Sequence, residues 1–228
     1  METNIIDVII LSYTKNLYYY GLTTRTIESL RMLNPNISFN VILIETNKHA
    51  KDEGFLYRDI NVITPSSEFN YNHFLNIGLN QCSADYILII NNDLIFSEHS
   101  IETMLNIMKN NSIKSASPIE PNWPKHKDFL HSSKPIEGYE TGKELAGWCI
   151  LLSKEVINTI GKFDENFKFW YQDNDYAENL KKHNIKHYLI PTARVYHVLS
   201  QSHSLIGDFY GMLNDNKQEM FKKYGILQ

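Results

Sequence analysis

The segment Tyr86-Ile87-Leu88-Ile89-Ile90-Asn91-Asn92-Asp93 decides the fold of this 228-residue chain. Its first five residues, 86–90, are uncharged and strongly apolar, and such a run predicts a β-strand that is buried on both faces. The run ends abruptly in two amides and a carboxylate. A carboxylate at the tip of a buried strand is costly unless it meets solvent or a cation. Asp93 is therefore either part of a turn, which such residues favour, or the ligand of a divalent cation.

Apolar runs and helical patterns alternate on both sides of this strand. The runs predict further strands over residues 5–11, 40–46 and 60–64. The helical patterns predict helices over residues 23–33 and 71–81, and a third one that begins after Ser100 as its N-cap. This alternation predicts an α/β fold with a mostly parallel central sheet and helices on both faces. Ligands of such sheets bind beyond the carboxyl ends of the strands, where Asn91 to Asp93 lie.

The second half begins with a long irregular connection over residues 120–143, which we interpret as a mobile segment that faces the substrate. Strands are predicted over residues 145–152 and 185–190, and helices over residues 154–160 and 173–183. Pro191 is expected to close the second of these strands. A terminal helix is predicted within residues 205–228, and its candidate packing residues are Phe209, Met212, Met220 and Phe221.

The charge and the cysteines exclude several classes of protein. Lys and Arg total 22 against 26 Asp and Glu, so the net charge of −4 gives no footprint for nucleic acid or for an acidic membrane surface. Cys82 and Cys149 lack the spacing of a disulfide framework or of a CxxC metal site. The first residues show neither a basic region nor a cleavage site, and residues 5–11 are too short to cross a bilayer. The expected location is cytoplasmic.

A second candidate for chemistry lies at the start of the predicted helix over residues 173–183. Asp173 and Asp175 stand there behind an aromatic run. Carboxylates at a helix N-terminus are favoured by the helix dipole, which is a sufficient structural explanation for both. Alternatively, Asp173 is a general base that accepts the proton of a hydroxyl group. At a helix start we expect it to keep a low pKa.

His197 is the third candidate for chemistry. It follows a short apolar strand that comes after Pro191, and imidazole is a competent ligand for ions such as Mn²⁺. A structural role is the alternative. His203 is the second candidate for the same position in the metal site.

These motifs stand in a fixed order between about residues 5 and 203. The series is VIILSY (8–13), VILIETN (41–47), NIGL (76–79), YILIINND (86–93), AGWC (146–149), IGKFDE (160–165), YQDND (171–175) and VYH (195–197). In order and spacing it resembles the inverting glycosyltransferases of family 2, which have the GT-A fold of the nucleotide-diphospho-sugar transferases.

The resemblance implies a role for each matching residue. It places Ser12 and Tyr13 in the nucleobase pocket, Glu45 on the base, and Asn76, Asn91 and Asn92 near the nucleotide. It makes Asp93 and His197 the metal ligands, Asp173 the catalytic base, and Gly147, Trp148 and Gln172 the acceptor side. Two residues depart from the family pattern: Glu45 stands where Asp is usual, and Gln172 stands where an acidic residue commonly precedes the base.

The implied activity is inverting transfer of a sugar from a nucleotide-diphosphate sugar to an acceptor hydroxyl, expected on a saccharide, with Mn²⁺ or Mg²⁺ as cofactor. The chain is then a single domain over residues 1–228, with a nucleotide-sugar-binding half (1–118), an acceptor-binding and catalytic half (119–203) and a helical tail (204–228).

Two rival functions are compatible with a nucleotide site on such a sheet. A nucleotidyltransferase would usually carry a glycine-rich, basic loop after the first strand, and residues 12–16 contain no glycine. A catalytically weak nucleotide-sugar-binding module is the other rival, and Gln172 is its only support. The sequence leaves the donor sugar, the nucleobase and the acceptor open.

Overall fold

The computed structural model describes residues 4–198 and 209–225, apart from the side chains of Phe209, Tyr210 and Met212. The strands are β1 (Asn4–Ser12), β2 (Ile37–Glu45), β3 (Asn61–Ile63), β4 (Tyr86–Ile90), β5 (Leu94–Phe96), β6 (Ser115–Ile119), β7 (Ile136–Glu137), β8 (Cys149–Ser153) and β9 (His187–His197). The helices are α1 (Leu17–Met32), α2 (Tyr71–Leu79), α3 (Ser100–Asn110), α4 (Lys154–Ile160), α5 (Gln172–Lys182) and α6 (Phe209–Tyr224), with a 3₁₀ helix over Pro124–Phe129.

The strands of the described residues form one sheet in the order β3-β2-β1-β4-β8-β6-β9-β5, and β7 adds to β9. Strands β1 to β4, β6 and β9 run in one direction, and β5, β7 and β8 run against them. The predicted mostly parallel sheet is thus confirmed, with one reversed strand at its centre. Strand β8 lies antiparallel between β4 and β6, and this reversal was not foreseen in the sequence.

The central strands are buried because helices cover both faces of the sheet. On one face, Val8, Ile10 and Leu88 share a core with α1 and α3. On the other face, Ile9 and Ile89 pack with apolar residues of α2, α4 and α5. Successive side chains of a strand point to opposite faces, so a strand covered on both sides has to be apolar throughout, as β4 is.

Several predicted boundaries need correction. Helix α1 begins at Leu17, where Asn16 caps Tyr18 and Tyr19, and not at Thr23. Strand β9 runs through Pro191 to His197, with a register shift against β6 after Pro118. Strands β5, β6 and β7, of three, five and two residues, were not predicted, and each of them pairs with β9, which is distant in sequence.

The predicted cap of α3 is also wrong. The N-cap residue is His99, and the Ser100 hydroxyl is buried without a hydrogen-bond partner among the described residues. Asn34 replaces it, because its Oδ1 accepts hydrogen bonds from the backbone of Ile101 at 2.8 Å and of Glu102 at 3.4 Å. A side chain distant in sequence therefore supplies the cap, which no local pattern reveals.

The connection over residues 120–143 is better organised than expected, with the 3₁₀ helix and β7 inside it. His126 is fully buried there, accepts from the Glu120 backbone at 2.8 Å and donates through Nε2 to the Lys143 carbonyl at 2.7 Å. Trp123 donates to the Gly142 carbonyl. In the terminal helix, Met220 is buried as predicted, but Phe221 is 53% exposed.

A buried polar chain links β6, β9 and α5. The Ser115 hydroxyl lies 2.8 Å from the Tyr176 hydroxyl and 2.8 Å from His187 Nδ1. Burial lowers the pKa of His187 to about 3, against a smaller opposing effect of the Glu144 backbone. The folded protein therefore holds this histidine neutral.

This histidine should make the fold acid-sensitive. Since the folded pKa lies below that of the unfolded chain, the stabilisation is complete above about pH 6.5 and is lost as the pH falls towards 3, at up to about 1.4 kcal/mol per pH unit. In urea unfolding, the wild type should lose about 2 kcal/mol more than His187→Gln between pH 7.5 and pH 5. Equal losses in the two proteins would contradict this assignment.

Candidate functional site

The site forms where β4 ends, and backbone pairing on both sides fixes the segment Asn91 to Asp93. The Asn91 amide donates to the Trp148 carbonyl at 2.9 Å, just ahead of β8. The Asp93 carbonyl accepts from the Val198 amide at 2.9 Å, just past the end of β9. Three segments that are distant in sequence therefore meet at the carboxyl end of the central strand.

Asp93 and His197 converge inside this junction. Asp93 Oδ1 lies 3.0 Å from His197 Nε2, and the two side chains are 4% and 10% exposed. The contact is close but not aligned as a hydrogen bond, so Asp93 Oδ1 is buried without a hydrogen-bond partner among residues 4–198 and 209–225. Asn91 Nδ2 reaches His197 Nε2 only at 3.5 Å.

This pair fits a divalent cation. A buried carboxylate oxygen without a hydrogen bond and an imidazole nitrogen that point into one space are the oxygen and nitrogen donors that Mn²⁺ accepts. Within the described part of the chain, no cluster of three or more His, Cys, Asp or Glu side chains could hold a metal. The remaining ligands would have to be phosphate oxygens and water. His203, the alternative ligand, lies outside the described residues.

Asn92 points away from this pair. Its Nδ2 donates to the Thr23 hydroxyl at 3.0 Å and lies 3.5 Å from the Ser12 hydroxyl. Ser12 and Thr23 are themselves 3.0 Å apart, and both are buried. This network ties the ends of β1 and β4 to α1.

Glu45 is buried at the end of β2, and local groups occupy its carboxylate. Oε1 accepts from the backbone of Thr14 at 3.0 Å and of Asn47 at 2.8 Å, and Oε2 accepts from the Thr14 hydroxyl at 2.6 Å. Burial raises the pKa of Glu45. In this arrangement Glu45 shapes the loop after β1, and its contact to a nucleobase stays a prediction. Tyr13, on the same loop, is 41% exposed and accessible to a base.

The side-chain amide of Asn76 binds the loop that contains Phe163 and Glu165. Its Nδ2 donates to the Phe163 carbonyl at 2.9 Å and to Glu165 at 2.9 Å, and its Oδ1 accepts from the Phe163 amide at 3.0 Å. Both ends of the amide are therefore used to join α2 to the segment that leads to α5. Any effect of Asn76 on the nucleotide would pass through this loop.

Asp173 lies in the first turn of α5, against Gly147. A Cβ atom on Gly147 would stand 2.8 Å from Asp173 Oδ2 and 3.0 Å from its Cβ, so only glycine leaves the carboxylate its place. The Asn174 amide donates to Asp173 Oδ1 at 3.0 Å. The expected low pKa is wrong, because burial raises the pKa of Asp173 and outweighs the backbone hydrogen bonds that lower it. A raised pKa makes the carboxylate a better proton acceptor.

Aromatic rings line the acceptor side predicted for Gly147 and Trp148. The Trp148 ring stacks on His197 at 5.5 Å and an angle of 25°, and it contacts Trp123 at 5.3 Å and His126 at 5.9 Å. Trp148 Nε1 and Gln172 Oε1 are buried without hydrogen-bond partners within the described ranges. No role was predicted for His126 from the sequence. Its buried position depends on contacts that include Lys143 and Trp148, which are 17 and 22 residues away in sequence.

Tyr71 is a further residue that sequence reasoning missed. Burial raises its pKa, and the negative charges of Asp173 and Asp93 raise it further. Its phenol therefore lies within electrostatic range of both carboxylates. The only signal in the sequence was its position at the start of the predicted second helix.

The profile of "Glycosyl transferase family 2" matches residues 7–199. The chain belongs to this family. This confirms the resemblance in the ordered motifs, and glycosyl transfer is the activity that the family's description names. No curated protein matches the sequence.

Among solved structures, this family member is similar to the "Crystal structure of GalNAc-T7 with UDP, GalNAc and Mn2+". The TM-score is 0.66 at 13% identity, over 85% of this chain and 43% of that chain. The likeness confirms the predicted GT-A fold, and at this identity it shows the fold alone. The family member spans less than half the length of that protein. In the part of the chain that the structure describes, no helix is long and apolar enough to cross a membrane.

The contact between Gly147 and Asp173 can be tested directly. Gly147→Ala should push the carboxylate aside and slow glycosyl transfer about 100-fold, since a misplacement of about 1 Å has effects of that size. Gly21→Ala is the matched control, because no atom lies within 4 Å of its added Cβ. Turnover with an active donor and acceptor checks this, with thermal melting to show that both variants fold. Equal turnover of the two variants would argue against the close approach.

Proposed function

We propose that the enzyme transfers a sugar from a nucleotide-diphosphate sugar to an acceptor hydroxyl, with inversion at the anomeric carbon. The observation that supports this most is the convergence of Asp93 and His197, 3.0 Å apart and without a hydrogen bond between them, at the carboxyl end of β4. Family membership supports glycosyl transfer over the nucleotidyltransferase alternative.

Asp93 and His197 are the proposed ligands of a Mn²⁺ or Mg²⁺ ion, which when bound neutralises charge on the diphosphate leaving group. The likeness to a structure that holds UDP and Mn²⁺ is in keeping with this assignment. The stacked Trp148 ring fixes the plane of the His197 imidazole, so Nε2 keeps facing Asp93.

Asp173 is the proposed general base. It accepts the proton of the acceptor hydroxyl as that oxygen attacks the anomeric carbon, from the face opposite to the departing diphosphate. Its side chain lies against Gly147, the residue that precedes Trp148, and the Trp148 ring contacts those of Trp123 and His126. These rings, with Trp148 Nε1 and Gln172 Oε1 still to be hydrogen-bonded, suit a hydroxyl-rich acceptor such as a saccharide.

The other assignments stay predictions. Ser12, Tyr13, Glu45, Asn76, Asn91 and Asn92 are proposed to form the nucleotide side, and Gly147, Trp148 and Gln172 the acceptor side. The division at residue 118 and the cytoplasmic location are proposed on sequence grounds. The configuration of the product, read from the anomeric proton coupling by NMR, tests inversion.

Replacement of the base should stop the chemistry and leave the donor bound. Asp173→Asn keeps the size of the side chain but cannot accept the proton, so turnover should fall about 10²- to 10⁴-fold. In the wild type, kcat should fall with acidity through a pKa above the ordinary 3.8, because the base must be ionised. Normal turnover by Asp173→Asn protein would refute the assignment.

Replacement of the metal ligand should act on binding as well. Asp93→Ala should abolish transfer and also remove the stabilisation by nucleotide plus Mn²⁺, about 2.7 kcal/mol at a ligand concentration of 100 Kd. Asp173→Ala is the matched control, since it should lose transfer but keep this stabilisation. Thermal shift with nucleoside diphosphates, with and without Mn²⁺, makes the comparison. Retained Mn²⁺-dependent binding by Asp93→Ala protein would remove Asp93 from the metal site.

A further inference from the structure

Helix α6 binds α5, the helix that carries Asp173, through an ion pair and a hydrogen bond. Lys223 Nζ lies 2.7 Å from Asp175 Oδ1 and 2.7 Å from Asp164 Oδ2, so one ammonium group bridges two carboxylates. The Tyr224 hydroxyl donates to Asp175 Oδ1 at 2.7 Å. Asp175 is 1% exposed, two residues after the proposed base in the same turn of α5. Asn179 of α5 donates to Asp175 Oδ2 at 3.2 Å, but the cation beside this buried carboxylate comes from the end of α6.

The same helix holds the segment that leads into α5. Asn216 is buried, accepts from the Lys168 amide at 3.3 Å and donates to the Trp170 carbonyl at 3.3 Å. Helix α2 holds this segment from the other side, through Asn72 to the Asp164 carbonyl at 2.8 Å and through the Tyr71 amide to the Lys168 carbonyl at 2.7 Å. The segment is thus clamped between α2 and α6.

The backbone just before α5 has an unfavourable conformation. Trp170 and Tyr171 both have positive φ, 68° and 60°, and neither is a glycine. Two consecutive bulky residues in the left-handed region persist only where the surroundings hold them. Gln172 and Asp173 follow directly, so the placement of the base depends on this turn.

We propose that Lys223 is a positioning residue for Asp173. It acts through Asp175 and Asp164, keeps the first turn of α5 against Gly147, and does not touch the substrate. The inference rests on the proposed role of Asp173 as base. Without the ammonium group, Asp175 and Asp164 lose their shared cation, and the strained turn before α5 is free to relax.

The test is hydrogen exchange of peptides from residues 164–182. In Lys223→Met, exchange there should quicken about tenfold or more, as expected when a hydrogen-bonded charge is removed, while peptides from β1 and β4 keep the wild-type rate. Lys222→Met is the matched control, because Lys222 is 75% exposed and, among the described residues, forms an ion pair with Glu219 alone, at 3.4 Å. Lys223→Arg should restore slow exchange, since a guanidinium can also bridge two carboxylates.

Unchanged exchange in Lys223→Met would overturn the proposal, and so would a uniform increase over the whole chain, which would mean a merely global loss of stability. If Lys223→Met does not fold, Tyr224→Phe removes one hydroxyl from Asp175 and should quicken the same peptides about threefold; no change there would equally overturn it. With an active donor, kcat should fall while the KM of the donor stays the same. The exchange readout is independent of transfer, so a failed Asp173 assignment remains distinguishable from a failed role for Lys223.

Discussion

Strand β4 is hydrogen-bonded along both edges, and its two registers determine the site. On one edge Ile10 of β1 pairs with Ile90, which brings Ser12 level with Asn92 two residues further on. On the other edge Cys149 of β8 pairs with Ile90, which brings Trp148 opposite Asn91. Because every residue of β4 is paired on both edges, these neighbours are fixed. The short pairing of β5 with β9 then places His197 beside Leu94 and Asp93.

The sequence predicted best those strands and helices that are defined by a continuous local pattern. The bounds of β4 and α4 agree with their predictions, since an apolar run and a helix stopped by Gly161 are continuous signals. The reversed direction of β8 and the three short strands could not be predicted, because strand pairing is not encoded within a strand. The Asn34 cap of α3 and the buried chain of Ser115, Tyr176 and His187 depend likewise on partners far apart in sequence.

The same distinction holds for the site. Asp93, Asp173 and His197 were predicted as site residues from their order and from the elements that carry them, and their roles stay proposals. The pKa of Asp173 was misjudged, because a helix start is visible in the sequence and the burial that opposes it is not. Polar groups are satisfied unevenly across the site: Ser12, Glu45 and Asn76 already have their partners, whereas Asp93 Oδ1, Trp148 Nε1 and Gln172 Oε1 have no hydrogen bond among the described residues. The side chains that connect the loops thus have their hydrogen bonds satisfied within the protein. The polar atoms that are proposed to face the metal or the acceptor have no such partner among the described residues.

Helix α6 follows every other described element, so a ribosome synthesises Lys223 and Tyr224 after the sheet and all the groups they hold. A nascent chain that has emerged only as far as β9 already contains every strand of the described residues, but Asp175 lacks the Lys223 ammonium group and the Tyr224 hydroxyl. A domain generally folds as one unit, which needs its late segments as well as its early ones. The contacts of Lys223 and Tyr224 with α5 are therefore among the last that the described part of the chain can gain, after the sheet and Asp173 have been synthesised.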